Sequence, residues 1–447
     1  MPFDAIFKAY DVRGKVGTEL TAEVAERIGR AFAQWLPEDG AVAVGRDMRP
    51  DSKELADAII KGLTEQGRDV WDIGEVTSDM IYFAVGDNKL AGGVMVTASH
   101  NPGAYNGIKF CREGANGVGL DTGLAEIRDA AKANSFTPSP KPGQVTQKDV
   151  VEDWIQHTLS FVEGIELKPI KLVVDAGNGM AGKIFAELEP YVPFEVTEMY
   201  FELDGTFPNH PASPIEPQNL VDLIDRLKKE KADAGLAFDG DGDRAVLVDE
   251  NGEVLSGTVM TAILAQYFLR QHPGATILIN AICGRAALET IEAAGGKAVR
   301  TKVGHSIIKN DMRTHNAIFA GEHSYHYFFK DNFMADSGLI AAIVALGVLS
   351  KSGKKLSEVA NEFRTYVQIP EANFEVADKD SMLKKIADTF AEAKTDWLDG
   401  LTVNFENSWF NVRPSNTEPL LRLNVEAKTK AELDQLVVKV KSLITNT

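Results

Sequence analysis

Two short stretches of this 447-residue chain put oxygen ligands and a hydroxyl where they could serve one cation: Thr97-Ala98-Ser99-His100-Asn101-Pro102 and, beginning 140 residues after Ser99, Asp239-Gly240-Asp241-Gly242-Asp243-Arg244. The second has carboxylates at alternate positions with glycines between them, so a tight turn can gather several hard oxygen donors. Such a donor set suits Mg²⁺ or a similar ion rather than zinc. A plain serine is a poor anionic ligand. A phosphoserine at position 99 would offer both a metal-binding oxygen and a transferable phosphoryl group, so the two motifs complete one another.

Competing chemistries fit less well. Asp239, Asp241, Asp243 and Glu250 match positions 1, 3, 5 and 12 of an EF-hand loop, but Arg244 stands where that loop needs glycine, and the flanks read as strands instead of helices. Gly177-Asn178-Gly179-Met180-Ala181-Gly182 is a literal G-x-G-x-x-G after an apolar run. No isolated acidic residue ends a strand cleanly at ribose-binding distance, and nothing nearby offers hydride chemistry, so a tight strand-to-helix turn is expected there. Ser99 beside His100 lacks the G-x-S-x-G elbow of a nucleophilic hydrolase, and adjacent loop residues are not expected to pair as nucleophile and base. Lys109 lies beyond a turn-rich loop from which it could meet a phosphate as a point charge. Arg413-Pro414-Ser415-Asn416-Thr417-Glu418-Pro419, followed by Arg422, gathers several donors in one turn, as a phosphate site requires. Alternation along Glu322, Ser324 and His326 would send these polar groups to one side of a strand end, where sugar hydroxyls could be met.

These residues need a frame. Apolar runs at 41–47, 93–97, 171–175, 234–239, 276–280 and 317–321 read as strands, and amphipathic segments at 21–35, 52–66, 218–229 and 259–270 read as helices, the signature of α/β layers. The Pro-rich segment 136–150 is the clearest linker. The expected organisation is an α/β domain over 1–145 with the serine loop, a second over 146–252 with the acidic loop, a third over 253–365 with the Glu322 loop, and an α+β unit over 366–447. In the last, strand-like runs at 401–412 and 420–427 precede a helix at 430–445 with Thr429 and Glu432 at capping-box spacing.

Composition bounds the partners. A formal charge of −18 argues against general binding to nucleic acid or anionic membrane. The longest apolar run, 339–349, is too short to span a bilayer, and the first residues lack a signal-peptide pattern, so a cytoplasmic protein is expected. Cys111 and Cys283 alone cannot build a disulfide framework.

With Phe7-Lys8-Ala9-Tyr10-Asp11-Val12-Arg13-Gly14 ahead of the serine motif, and the acidic, Gly321-Glu322-His323-Ser324 and Arg413–Pro419 motifs following in order, the chain resembles the α-D-phosphohexomutase superfamily, most closely its bacterial phosphomannomutase/phosphoglucomutase branch. The resemblance spans essentially the whole chain. It implies three related α/β domains around a central cleft and a small C-terminal α+β domain that closes on substrate. It implies phosphoserine at Ser99, one Mg²⁺ held by Asp239, Asp241, Asp243 and the Ser99 phosphate, and sugar contacts from Glu322, Ser324 and His326. Arg413, Ser415, Asn416 and Thr417, with Arg422, would hold the non-reacting phosphate. Lys109 and His305 resemble the proton-transfer groups, and Tyr10, Arg13 and Arg244 resemble supports of the phosphoserine and cleft. The implied reaction interconverts hexose 6-phosphate and hexose 1-phosphate, of mannose or glucose or both, through a hexose 1,6-bisphosphate that also serves as activator. Sugar phosphates are thus the implied partners. Two positions depart from the family pattern: Tyr325 replaces a small residue, and Ile282 stands where some relatives carry a basic residue, so that one phosphate contact is either missing or replaced, with Arg285 the candidate replacement. Asn416 and Thr97 favour this branch over phosphoglucosamine mutases, which remain the alternative beside a non-catalytic phosphosugar- or metal-binding protein. Neither sugar preference nor oligomeric state is legible.

Overall fold

The computed structural model describes residues 3–415 and 420–445, all but the His305 side chain among them. Alternating apolar strands and amphipathic helices build three sheets of one connectivity. In the first, Val42–Arg46 lies parallel between Val70–Glu75 and Gly92–Val96, and Tyr105–Arg112 returns antiparallel to Gly92–Val96. In the second, Lys171–Asp175 lies parallel between Glu195–Met199 and Ala234–Phe238, and Ala245–Asp249 returns antiparallel. In the third, Thr276–Asn280 lies between Lys297–Thr301 and Phe319–Gly321, and Tyr327–Phe329 returns antiparallel. Each unit therefore orders these four strands second, first, third, fourth. The loops from third to fourth strand are those of Ser99, of Asp239–Arg244 and of Glu322–His326.

The helices form where the patterning places them. Thr21 caps Ala22–Trp35 by accepting from the Val24 N–H, and the helix buries Ala25, Ile28 and Phe32. Its neighbour Ser52–Glu65 approaches so closely that a Cβ on Gly29 would lie 2.5 Å from the Ile59 carbonyl oxygen, and one on Gly62 would run into the Glu26 carbonyl. Buried side chains from all three α/β units, Ala43 through Phe363, form one continuous cluster that includes most of the helix Gly338–Ser352. The C-terminal unit, an antiparallel sheet with helices Lys379–Thr389 and Lys430–Thr445, has a core of its own. Among the described residues no helix is long and apolar enough to cross a membrane.

Three expectations change in detail. The segment read as linker contains Val145–Gln147, a strand added parallel to Val70–Glu75. All three of its side chains are exposed, so no apolar alternation marks it. The run at 401–412 is a hairpin, Leu401–Asn404 against Ser408–Pro414, closed by Phe405 N–H donating to the Ser408 carbonyl. At the last helix, Thr429 accepts from the Glu432 N–H, while the Glu432 carboxylate takes the Thr429 hydroxyl, so only half of the capping box forms.

The close helix pair makes Gly62→Ala an overpacking change, expected to cost about 1–3 kcal/mol. It should lower the thermal unfolding midpoint; a melting curve superimposable on the parent's would contradict the close approach.

Candidate active site

Ser99 is buried, with φ 51, a left-handed conformation uncommon for a residue with a Cβ. Its surroundings hold it there. The Ser99 N–H donates to Thr97 Oγ1 at 2.9 Å. The buried Arg49 guanidinium lies beneath the loop and donates to the carbonyls of Ser99 (2.8 Å), Asn101 (2.6 Å), Pro102 (3.0 Å) and Tyr105 (2.8 Å). Arg13 adds bonds to the Ala98 carbonyl and to Asn101 Oδ1. The turn aims Ser99 Oγ across the unit boundary, where it donates to Asp239 Oδ2 at 2.9 Å. It also folds His100 back, so that its Nδ1 lies 3.1 Å from Ser99 Oγ, contrary to the expectation for adjacent residues; the left-handed φ is the reason. Arg244 Nη2 lies 3.0 Å from the same nitrogen. A guanidinium has no lone pair, so Nδ1 accepts. The Arg244 charge first, then burial and the Arg13 charge, push the imidazole well below its ordinary range, which keeps it neutral.

The acidic loop is a hairpin connection between Phe238 and Ala245, with Gly242 at φ 76. Strands on both sides exclude an EF-hand. Gly240 brings this loop against the serine loop: a Cβ there would lie 2.5 Å from the Ser99 carbonyl oxygen. The G-x-G-x-x-G segment props it from behind, with Gly177 and Asn178 in left-handed geometry and the Met180 N–H donating to the Gly240 carbonyl at 2.9 Å. It is a strand-to-helix turn, as expected. Asp239, Asp241 and Asp243 are buried and offer carboxylate oxygens within 4.8 Å of one another. Lys109 Nζ bonds Asp241 at 2.6 Å and Asp243 at 2.7 Å, and Ser78 Oγ donates to Asp241 at 2.5 Å. Asp241 Oδ1 and Asp243 Oδ1 find no donor among the described residues. Burial, then the Asp243 and Asp241 charges, drive Asp239 well above the usual carboxylate range. Burial also opposes ionisation of Asp241, but Lys109, Ser78 and Arg13 outweigh it and hold this group well below that range. Hard oxygen donors, unsatisfied and mutually repelling, could hold a divalent cation.

The other described candidates come from the first, third and C-terminal units. Tyr10 Oη donates to the Val303 carbonyl at 3.2 Å, beneath Gly304. His305 opens the helix His305–His315, and its side chain lies outside the described part. Glu322, Ser324 and His326 occupy a hairpin turn, not an extended strand, so strand alternation does not order them: the Glu322 N–H donates to the His326 carbonyl, and Tyr325 takes φ 69. Glu322 is buried, accepts from Asn280 Nδ2 at 3.1 Å, and is raised in pKa by that burial. His326 bridges by backbone to Arg244. In the C-terminal unit Arg413 and Arg422 flank Glu371 at 3.2 and 3.3 Å, and the Ser415 N–H donates to the Leu420 carbonyl. Asn416 and Thr417 lie outside the described residues. Ile282 is buried, and Arg285 does not supply the missing base: it is committed to the carbonyls of Phe405, Glu406 and Ser408, fastening the C-terminal unit to the third.

Four family models match the chain in order: phosphoglucomutase/phosphomannomutase α/β/α domain I over residues 4–138, domain II over 152–252, domain III over 256–366 and the C-terminal domain over 371–443. The chain belongs to the phosphoglucomutase/phosphomannomutase family. It is 38% identical to a Vibrio cholerae phosphomannomutase over 96% of this chain and 95% of that one. It is 37% identical to a Neisseria gonorrhoeae phosphoglucomutase, covering 98% and 96%. A crystal structure of a family protein from Burkholderia thailandensis superposes with a TM-score of 0.91 at 33% identity, over 99% of this chain and 97% of that chain. The protein is thus a phosphohexomutase, an isomerase that acts as an intramolecular phosphotransferase.

Several residues around this candidate site escape motif reading. Arg49 carried one signal, its place just past an apolar strand end, where α/β sheets gather functional groups. Ser78, Lys309, Asp336 and Glu371 carried none; each resembles an ordinary surface or cap residue until folding brings its partner near. The loop from Tyr200 to Ser213 covers the serine loop from the second unit, with Phe207 packed against the Arg49 guanidinium. His210 anchors it: Nε2 is 3.0 Å from Asp175 Oδ2 and Nδ1 is 2.9 Å from the Pro211 carbonyl. Burial lowers the His210 pKa, but the Asp175 hydrogen bond and charge outweigh it, so the net shift is upward.

A folded-state pKa above the unfolded value gives stabilisation that is complete below about pH 6.5 and lost as pH rises through the folded pKa. Melting midpoints recorded from mildly acid to mildly alkaline pH should therefore fall more steeply for the parent than for His210→Gln. Parallel profiles would exclude the pair as an anchor. Gly240→Ala should displace the Ser99 carbonyl and cut turnover at least tenfold with the fold intact, as checked by a coupled mutase assay alongside circular dichroism.

Proposed function

We propose that Ser99 carries the transferable phosphoryl group and that the protein interconverts hexose 6-phosphates and hexose 1-phosphates, of mannose or glucose or both, by way of a hexose 1,6-bisphosphate. The observation that carries the proposal is Ser99 Oγ at 2.9 Å from Asp239 in the carboxylate cluster. Asp239, Asp241 and Asp243, with a phosphate on Ser99, would hold one Mg²⁺, which when bound neutralises charge on the transferring group. Phosphoryl transfer asks mostly for positioning and charge compensation. Arg13, Arg244 and Lys109 lie close enough to the serine loop and carboxylates to supply both.

In the forward half-reaction the bond from Ser99 Oγ to phosphorus breaks as the free sugar hydroxyl bonds to that phosphorus. Lys109 and His305 are assigned the proton traffic at the hydroxyl and at Ser99 Oγ. The bisphosphate then turns over and returns its other phosphoryl group to Ser99, so atoms and charge balance over the cycle. Arg413, Ser415, Asn416, Thr417 and Arg422 are assigned to whichever phosphate is not reacting, and Glu322, Ser324 and His326 to the hydroxyls. Tyr10 supports the loop at Val303. The proposed domains run 1–145, 146–252, 253–365 and 366–447. The last, with its own core and a largely polar attachment through Arg285, is suited to close over substrate and exclude water. A hexose 1,6-bisphosphate is the assigned activator, since it re-forms phosphoserine from free Ser99. Soluble sugar phosphates as partners fit a cytoplasmic enzyme.

Mannose 1-phosphate and glucose 1-phosphate should each be tried in a coupled assay with Mg²⁺ and catalytic glucose 1,6-bisphosphate. Turnover of at least one, abolished by EDTA and restored by Mg²⁺, is expected. Ser99→Ala should reduce it to background and remove a phosphoryl mass from the intact protein, and Lys109→Met should lower kcat about 10²- to 10⁴-fold. Full activity in Ser99→Ala would refute the assignment.

A further inference from the structure

His326, Asp243 and Asp336 offer ligand atoms within 4.8 Å of one another, the outline of a second cation site beside the first. The other side of Asp336 argues otherwise. Its Oδ1 lies 2.9 Å from Lys309 Nζ, and that ammonium is 1% exposed, with its nitrogen 3.4 Å from the centre of the Tyr82 ring. A metal ion bound to Asp336 would be pressed against a buried cation that has no lone pair to offer. The carboxylate already has its counter-ion, and its remaining oxygen, Oδ2, is 2.9 Å from His326 Nδ1.

The imidazole edge bearing Nδ1 faces two carboxylates, Asp336 at 2.9 Å and Asp243 Oδ1 at 3.7 Å. Neither can donate when ionised, so Nδ1 must carry the hydrogen. Once that edge is taken, Nε2 is the only ring nitrogen left for a ligand. Asp336 itself is firmly mounted. It pairs by backbone with Phe328, and the next residue, Ser337, caps the helix Gly338–Ser352 and donates to the buried Asp79 at 2.6 Å. His326, by contrast, stands at the end of a turn that contains a strained Tyr325. A rigid element thus sets the orientation of a side chain that its own loop does not fix.

We propose that Asp336, charge-balanced by Lys309, is a positioning residue that fixes the His326 ring in its Nδ1–H form and reserves Nε2 for substrate. The proposal rests on the reading that His326 faces the sugar phosphate. Asp336 acts through His326. A carboxylate behind a working histidine is a general device for choosing tautomer and ring angle, and its loss elsewhere costs about 10- to 100-fold.

The test begins with the whole protein. In ¹⁵N-labelled parent enzyme the His326 imidazole signals, assigned by their loss in His326→Gln, should show the hydrogen fixed on Nδ1; a bare Nδ1 would overturn the proposal without any variant of Asp336. Asp336→Asn keeps the shape but can donate as well as accept, so mixed tautomers and a kcat about 10- to 100-fold lower are expected, with KM and the Mg²⁺ concentration dependence little changed. In a His326→Gln background the same substitution should cost nothing further, as a residue acting through His326 requires. Equal losses in both backgrounds would show a role independent of His326 and defeat the proposal. Ser99→Ala in parallel separates the two readings: full turnover there refutes the phosphoserine assignment, whereas equal losses with Ser99→Ala inactive refute only the positioning role.

Discussion

Three carboxylates buried within 4.8 Å of one another are the constraint around which the rest of the molecule is arranged. Left alone, Asp239, Asp241 and Asp243 would repel and be costly to desolvate. The fold answers with fixed cations from different places in the chain: Lys109 from the strand Tyr105–Arg112, Arg244 from the acidic loop itself, and Arg13 from the short strand Val12–Lys15, which pairs with Tyr105–Arg112. Even so, two carboxylate oxygens keep no donor among the described residues. The same electrostatic imbalance that makes the loop a poor structural element suits it to hold a divalent cation.

Repetition solves the problem of bringing such groups together. Each α/β unit ends its parallel strands with one antiparallel return, and in each the hairpin loop before that return carries site candidates. A hairpin loop at the edge of a sheet is anchored at both ends, so a strained residue such as Ser99 or Tyr325 can be held at small entropic cost. The C-terminal unit adds the hairpin Ser408–Pro414 to Leu420–Ala427, with Arg413 and Ser415 at its loop end. Rigidity differs between these parts. One apolar cluster runs through the first three units, each of which also keeps a separate cluster of its own, while the fourth takes no part in it and is tied on through Arg285, Asp399 and Glu426.

Support beneath the loops is as specific as the loops themselves. Arg49 replaces the hydrogen bonds that the serine loop carbonyls would otherwise make to water, and the Tyr200 to Ser213 segment covers that support from outside. Asp336 does the same for His326. In both cases a buried charged residue, paired with an opposite charge, directs a group on a loop.

The sequence by itself determined the α/β rhythm, most strand and helix positions, the acidic and serine motifs and the order of the four units, because these depend on local periodicity and on residue types that few other roles require. Ordered motifs such as those around Ser99, Asp239 and Arg413 were enough to place the family. Tertiary structure alone decided that Ser99 turns left-handed and brings His100 back beside its hydroxyl, that Arg285 fastens a domain instead of meeting phosphate, and that Lys309 and Asp336 form a buried pair behind His326. The reason is physical. A charged side chain has the same local pattern whether water or a distant partner will satisfy it, and burial, the term that decides between the two, exists only once the chain has closed on itself.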